Sequence, residues 1–129
     1  FEIGRLINAA TVRELLADEI AAYDAPFPDD SYKAGARIFP SLVPTEPDDL
    51  TASANRAAWE IFDRWEKPFL CCFSDRDPVT RGGDRAFLSR VPGTAGQPHE
   101  TIENAHHFVQ EDSPNDLARI ILQAIAQDS

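Results

Sequence analysis

The sequence predicts an α/β fold in which a short parallel sheet is flanked by helices. Residues 69–73 are continuously apolar, which is typical of a strand covered on both faces. A second strand-like segment at 99–103 follows a helical pattern at 84–91, and a strand–helix–strand unit normally forms a right-handed parallel crossover. Two strands cannot form a sheet that is buried on both faces, so we expect a larger sheet. Its other strands would come from an absent N-terminal segment or from another chain.

The composition narrows the classes of protein and of partner. The chain has 129 residues, which corresponds to one domain or less. Its 12 basic and 22 acidic side chains give a net charge of −10. This charge argues against nucleic acid or a membrane surface as a partner, because both attract basic patches. No apolar run approaches the roughly 20 residues that span a bilayer, and Phe1–Arg5 shows no secretory signal.

The two cysteines are neighbours in the sequence, Cys71 and Cys72. Adjacent side chains of a strand point to opposite faces, so we expect no disulfide between them. We interpret both as small buried apolar residues. Free thiols fit a reducing compartment, and we therefore expect a cytoplasmic location.

A helix is predicted near the beginning of the chain. Thr11 and Glu14 have the spacing of a capping box, with the threonine at the N-cap. Apolar residues then recur at helical spacing as far as Tyr23. The prolines within 25–30 predict a turn after this helix.

A second, shorter helix is predicted at 31–38. Asp30 or Ser31 provides its N-cap, and Pro40 ends or kinks it. The segment 44–49 is predicted to be an exposed loop with a solvated acidic face. A metal site is not expected there, because His and Cys ligands are missing. The acidic residues are Glu46, Asp48 and Asp49.

The remaining helices are predicted around the strands. The segment 51–65 carries an apolar stripe, and we interpret Trp59 and Trp65 as core residues. The helix at 84–91 is expected to turn its apolar residues inward, and an amphipathic helix is predicted after residue 113. The inward residues are Ala54, Ala58, Ile61 and Phe62 in the first helix and Phe87, Leu88 and Val91 in the second.

The segments that follow the two strands carry groups suited to proton transfer. In open α/β sheets, functional residues lie just beyond the carboxyl ends of the strands. Asp77 follows the first strand and His107 follows the second, about 30 residues later. If the strands are parallel neighbours, the carboxylate can accept the ring N–H of the histidine. That bond fixes the tautomer and leaves the other ring nitrogen to take a proton.

The sequence leaves alternatives open at these positions. Asp75 lies in the same loop as Asp77, and we favour Asp77 because it is deeper in the loop. Spacing does not choose between His106 and His107, and His99 is expected to be an exposed residue at the start of its strand. An aspartate before proline is often a turn former, and a loop histidine is often a surface residue.

The chain resembles haloalkane dehalogenases, which belong to the α/β-hydrolase superfamily, over nearly all of its residues. The specific part is 25–40, where APFPDDSYKAG and then RIFP are similar to the helical cap of that family. The segments 75–80 (DRDPVT) and 107–112 (HFVQED) resemble motifs that many α/β-hydrolases share. The resemblance implies that 1–50 is a cap-domain segment. It also implies that 51–129 is the C-terminal part of the hydrolase core.

The resemblance also implies roles for individual residues. Asp77 matches the triad acid and His107 matches the catalytic base. In the family, an aspartate nucleophile displaces halide from carbon, and the histidine activates the water that hydrolyses the alkyl-enzyme ester. Five positions match apolar residues that line the substrate and halide pocket or flank the acid and base, and each is equally consistent with an ordinary core residue. They are Phe39, Pro40, Val43, Val79 and Phe108.

Three features depart from the family pattern. No G-x-D-x-G or G-x-S-x-G elbow occurs in the sequence, so the nucleophile and the oxyanion-hole segment are absent from it. The halide-clamping tryptophans of the family are unaccounted for. His106 stands where the family usually has a small glycine, and its ring is expected to shift the loop that carries His107.

The sequence therefore predicts part of a haloalkane dehalogenase that is inactive alone, because it lacks the nucleophile. Its ligands would be a small halogenated alkane and halide, its partner would be the N-terminal half of the hydrolase, and no cofactor or metal is expected. Two alternatives stay open. One is another α/β-hydrolase such as an epoxide hydrolase, and the other is a non-catalytic interaction module.

Overall fold

A computed structural model describes residues 1–127 of the chain. Within that range, helices account for most of the regular structure and two short strands form one sheet. The helices are α1 (Ile3–Ala9), α2 (Ala17–Asp24), α3 (Ala34–Ile38), α4 (Ala52–Phe62), α5 (Asp84–Arg90), α6 (Val109–Asp112) and α7 (Pro114–Gln127). The strands are β1 (Cys72–Ser74) and β2 (Glu100–Ile102), and 3₁₀-helices lie at Asp30–Lys33, Phe39–Leu42 and Pro92–Thr94.

The two strands pair in parallel, as the strand–helix–strand pattern predicted. Cys72 lies opposite Glu100 and Ser74 lies opposite Ile102, and α5 forms the crossover between the strands. The strands have three residues each rather than the five that were predicted. The chain before β1 bonds elsewhere, because the Phe69 N–H donates to the Gly93 carbonyl over 3.0 Å. The parallel pairing brings the ends of both strands to one edge of the sheet.

The hydrophobic core of the C-terminal half of the chain lies between β2 and α7. Ile102, Ala105 and Ile120 form a cluster that is almost fully excluded from solvent. Leu70, Cys72, Val109 and Leu117 pack around it. The amphipathic α7 is confirmed, but its apolar side is broader than the part that is buried. Ile121 and Ile125 are exposed.

Aromatic side chains pack α4 against α5. Trp59 stacks on Phe87 with ring centroids 5.0 Å apart, and Phe87 stacks on Phe69 at 5.5 Å. The core interpretation suits Trp59, but Trp65 is exposed because α4 ends three residues before it. Leu88 and the α4 residues Ala54, Ala58 and Ile61 are also exposed, contrary to the prediction, whereas Val91 is buried.

The predicted helix from Thr11 to Tyr23 is wrong at its beginning. The Thr11 hydroxyl donates to the carbonyls of Asn8 and Arg13, so it closes a turn after α1 instead of capping a helix. The helix begins at Ala17, where the Glu19 carboxylate accepts the Leu16 N–H at 2.7 Å. Helix α1 was not predicted from the sequence.

The segment from Asp29 to Asp49 follows the predicted order with different caps. The Asp29 carboxylate, rather than Asp30 or Ser31, accepts the Ser31 N–H at 2.8 Å. As predicted, the α-helix ends before Pro40: α3 stops at Ile38, and Pro40 lies in the first turn of the following 3₁₀-helix Phe39–Leu42, where its missing N–H costs nothing. The acidic loop is confirmed, and the Asp49 carboxylate closes it by accepting the backbone N–H groups of Thr45 and Glu46.

Two further expectations concern the thiols and the membrane. Cys71 and Cys72 are both free, and burial raises the pKa of each thiol. Cys71 is buried as predicted, whereas Cys72 is half-buried, and neither is in a disulfide. Among the residues described, no helix has both the length and the apolar character needed to cross a bilayer.

Candidate functional site

Asp77 lies in the loop directly after β1 and is only 2% exposed. One carboxylate oxygen, Oδ1, accepts the Val79 N–H at 2.8 Å. The other, Oδ2, accepts the Thr80 hydroxyl and lies 3.0 Å from His107 Nδ1. Every bond therefore favours the ionised carboxylate, and the bonds to residues 79 and 80 fix its orientation toward the histidine.

His107 lies in the loop after β2, and its side chain is 37% exposed. Its Nδ1 faces the Asp77 carboxylate, an acceptor, so Nδ1 carries the proton and donates it. This tautomer leaves Nε2 as the ring nitrogen that can accept a proton. The ring of Phe108 stands edge-on against the imidazole, with centroids 5.2 Å apart.

The charge state of Asp77 follows from two opposed effects. Burial by itself raises the pKa of this carboxyl group, because it disfavours the charged form. The hydrogen bonds from Thr80, His107 and Val79 together lower it more strongly, and the net pKa is about 2. The group is therefore an anion at neutral pH, and it can stabilise a positive charge on the imidazole.

Asp75, the alternative acid, has different hydrogen-bond partners from those of Asp77. Its Oδ1 accepts the Ala105 N–H at 3.2 Å, and the Arg76 N–H donates to the Ala105 carbonyl at 3.0 Å. The Ser74 hydroxyl donates to the His106 carbonyl at 2.8 Å. These bonds tie the two loops together beyond the strand ends, so Asp75 connects the loops and does not contact the ring of the candidate base.

The three histidines have distinct environments. His99 is not an exposed strand residue as predicted, because its Nδ1 accepts the Cys71 N–H at 3.0 Å and its Nε2 lies 2.8 Å from the Thr94 carbonyl. His106 Nδ1 is buried without a hydrogen-bond partner. Of the three, His107 has its ring against the Asp77 carboxylate, which the spacing alone could not decide.

The five predicted apolar positions differ in how they relate to this pair. Val79 and Phe108 adjoin it, since the Val79 N–H bonds Asp77 and the Phe108 ring contacts His107. Phe39 is 71% exposed and Val79 is 73% exposed, so the interpretation as core residues is wrong for both. Pro40 and Val43 are exposed as well, and Phe108 is half-buried.

Several residues that hold the pair or its loops in place were not predicted from the sequence. The role of Thr80 could be predicted locally, because it lies three residues after Asp77 in the same loop. At this spacing its hydroxyl can donate to the Asp77 carboxylate. No local pattern pointed to Arg13 or Asp112, because their partners are about 100 residues away. Arg13 donates to the Asp112 carboxylate and to the Glu111 carbonyl. Within residues 1–127, no group of three or more His, Cys, Asp or Glu side chains could hold a metal ion.

The placement of a buried aspartate and a histidine at the ends of neighbouring parallel strands is similar to that of the acid and base in an α/β-hydrolase. No family model matches the chain. It is 56% identical to a haloalkane dehalogenase of Mycobacterium marinum over 119 residues, which is 92% of this chain and 40% of that enzyme. It is 52% identical to a haloalkane dehalogenase of Psychrobacter cryohalolentis over 125 residues, which is 97% of this chain and 41% of that enzyme.

A third similar protein, haloalkane dehalogenase 1 of Mycobacterium bovis, is 55% identical over 92% of this chain. The chain is thus related to the haloalkane dehalogenases, as the resemblance in its sequence indicated, and these relatives imply an α/β-hydrolase fold. It spans about two fifths of the length of the curated relatives that it matches.

Proposed function

We propose that this chain supplies the acid and the base of a haloalkane dehalogenase, which hydrolyses a carbon–halogen bond to an alcohol and a halide ion. The observation that carries the proposal is the 3.0 Å contact between Asp77 Oδ2 and His107 Nδ1, in a chain more than half identical to enzymes of that name. The named relatives favour this function over that of an epoxide hydrolase or a non-catalytic module.

The chemistry has two steps, and this chain acts in the second. A carboxylate nucleophile, which is supplied from outside these residues, attacks the substrate carbon, and the halide leaves with the bonding electron pair. His107 Nε2 then takes a proton from water, whose oxygen attacks the carbonyl carbon of the ester. The ester C–O bond breaks, the alcohol oxygen receives the proton back from the imidazolium, and the nucleophile, left as a carboxylic acid, releases its proton to solvent to restore the carboxylate. Asp77 stabilises the imidazolium throughout.

The rest of the chain then belongs to two parts of the hydrolase, the cap and the core. Residues 1–50 are a segment of the cap, and 51–129 are the C-terminal part of the core. The apolar positions contact the halogenated substrate, and exposed Phe39, Val43 and Val79 are available for this when the N-terminal half is present. The ligands are then a small halogenated alkane and halide, with no cofactor.

A hybrid enzyme tests the proposal. In the Mycobacterium marinum relative, this chain replaces the region that it matches, so the remainder of that enzyme supplies the nucleophile. We expect the hybrid to release bromide from 1-bromobutane over many turnovers. Asp77→Asn should lower kcat about 10³-fold or more, as for the acid of a catalytic triad. Asp75→Asn should lower it less than about 10-fold, because Asp75 only ties the loops together.

The isolated chain provides the negative control. It should release no bromide, because the covalent route requires the nucleophile. An active isolated chain, or a hybrid in which Asp75→Asn is as damaging as Asp77→Asn, would contradict the assignment of roles.

A further inference from the structure

The loop that carries His107 is anchored on both sides, on one by a nearby side chain and on the other by a segment far away in sequence. The N–H of His106 donates to Asp112 Oδ2 at 2.8 Å. The N–H of Phe108 donates to the Ala10 carbonyl at 3.2 Å. The candidate base thus stands between two anchored backbone positions, and one anchor is the Asp112 side chain.

Asp112 uses its second oxygen to bind the segment between α1 and α2. Its Oδ1 accepts the N–H groups of Val12 at 2.8 Å and Arg13 at 3.1 Å. One carboxylate therefore joins three backbone donors, two of which are about 100 residues away along the chain. Hydrogen bonds from backbone N–H groups to a carboxylate are charge-assisted and stronger than neutral ones.

A second set of contacts joins the segment 1–24 to α6. The Arg13 guanidinium donates to the Glu111 carbonyl and to its carboxylate, both at 2.7 Å, and it pairs with Glu19 on α2. The Tyr23 hydroxyl donates to the Glu111 carboxylate, and this bond is the largest cause that raises the tyrosine pKa. The helical segment 1–24 and α6, which directly follows the loop that carries His107, are therefore linked side chain to side chain.

We propose that Asp112 is a positioning residue for His107: it holds the His106 backbone against residues 12 and 13 and thereby keeps the imidazole aligned with Asp77. The inference rests on the proposed function. Misplacement of a reacting group by about 1 Å can cost about 10²-fold in rate. Because His107 acts on the ester and not on the haloalkane, loss of Asp112 slows ester hydrolysis and leaves halide displacement unchanged.

The hybrid enzyme separates these two steps. In Asp112→Ala, all three acceptor contacts are lost. We expect kcat to fall about 10- to 100-fold and KM to fall in proportion, so that kcat/KM, which reports halide displacement, stays nearly unchanged. After rapid mixing with 1-bromobutane, the variant should release about one equivalent of bromide quickly and then turn over slowly. Mass spectrometry should show the alkyl group retained on the protein.

Two variants serve as comparisons. Asp112→Asn keeps the shape but turns an NH₂ group toward a backbone N–H, so it should retain more ester than the parent and less than Asp112→Ala. Asp116→Ala is the matched control, because Asp116 is an exposed carboxylate one turn away with only a 3.6 Å contact to Arg119. It should turn over like the parent, without trapped ester.

The trapped ester distinguishes positioning from simple loss of folded protein. A variant that only unfolds would lower the rapid bromide release and kcat together and would trap no ester, and that result would overturn the proposal. So would parental turnover in Asp112→Ala. Amide hydrogen exchange gives a readout that does not need activity. Peptides covering 106–108 should exchange faster in Asp112→Ala than in Asp116→Ala, and equal rates would contradict the role of Asp112. An inactive parent hybrid would instead contradict the proposed function.

Discussion

Asp77 shows how a buried carboxylate can remain ionised close to neutral pH. The side chain is almost fully excluded from solvent, which alone would favour protonation. Three donors offset this, from Thr80, His107 and the Val79 backbone. Two of these donors lie within three residues of Asp77, so the loop by itself already favours the ionised carboxylate.

The lowered pKa of Asp77 predicts a contribution to stability in the acid range. Its value falls from 3.8 to about 2 on folding, so the stabilisation is fully present above about pH 4 and is lost as the pH falls toward 2. The difference corresponds to about 2 kcal/mol. In urea unfolding of the hybrid enzyme, Asp77→Asn should lack this part of the pH dependence.

The control for this measurement is Asp116→Asn, which removes an exposed carboxylate. That variant should keep the pH dependence of the parent between pH 2 and 4. If Asp77→Asn and the parent lost the same free energy of unfolding over that interval, the lowered pKa would be refuted.

At single positions, the sequence could predict what local chemistry determines. Asp77 and His107 follow strands, and their separation along the chain matches one crossover, so their meeting could be anticipated. The bonds of His99 to Cys71 and Thr94 could not, since they depend on how the chain before β1 passes the start of β2. The bonds of Asp112 to Val12 and Arg13 could not be predicted either, because these partners are distant in sequence.

Among the elements, the connection from α5 to β2 depends on a glycine. The Gly93 N–H donates to the Trp65 carbonyl at 2.7 Å, and its carbonyl accepts the Phe69 N–H at 3.0 Å. A Cβ at Gly93 would stand 1.9 Å from the Lys67 carbonyl oxygen, a backbone atom that cannot rotate away. The two chain segments therefore lie together only when residue 93 has no side chain.

Gly93→Ala is expected to destabilise the hybrid enzyme by at least about 3 kcal/mol, because the backbones must separate to admit the methyl group. Gly35→Ala is the matched control. Gly35 lies in α3 with nothing within 4 Å of the added atom, so alanine should be neutral or stabilise by about 0.5–1 kcal/mol through helix propensity. Thermal unfolding compares the two, and similar melting temperatures would contradict the close approach at Gly93.

The helices were predicted well where one face packs on the sheet. The bounds of α5 and the amphipathic α7 follow from strong local patterns. The helix predicted from Thr11 failed because its capping pattern competes with tertiary bonds. Arg13, inside that predicted helix, instead binds Glu19 and Glu111, and its backbone N–H bonds Asp112. The local pattern favours a helix, but contacts with α2 and α6 outweigh it.

The molecule as a whole has more apolar surface than its core uses. Leu50 is 91% exposed, and large apolar side chains are exposed on α7 and in the proposed cap segment. Exposed apolar surface is expected where other protein segments cover the chain. It agrees with the expectation from the sequence that the two-stranded sheet is part of a larger one, and with a chain that spans about two fifths of its relatives.

Trapping of the covalent intermediate tests the central claim most directly. The hybrid enzyme with His107→Phe is mixed with 1-bromobutane, and bromide and protein mass are followed together. If His107 is the base of ester hydrolysis, the variant releases about one equivalent of bromide and keeps one butyl group on the protein. Asp116→Asn, treated in the same way, turns over fully and keeps none. Multiple turnovers by His107→Phe, without a retained butyl group, would contradict the account.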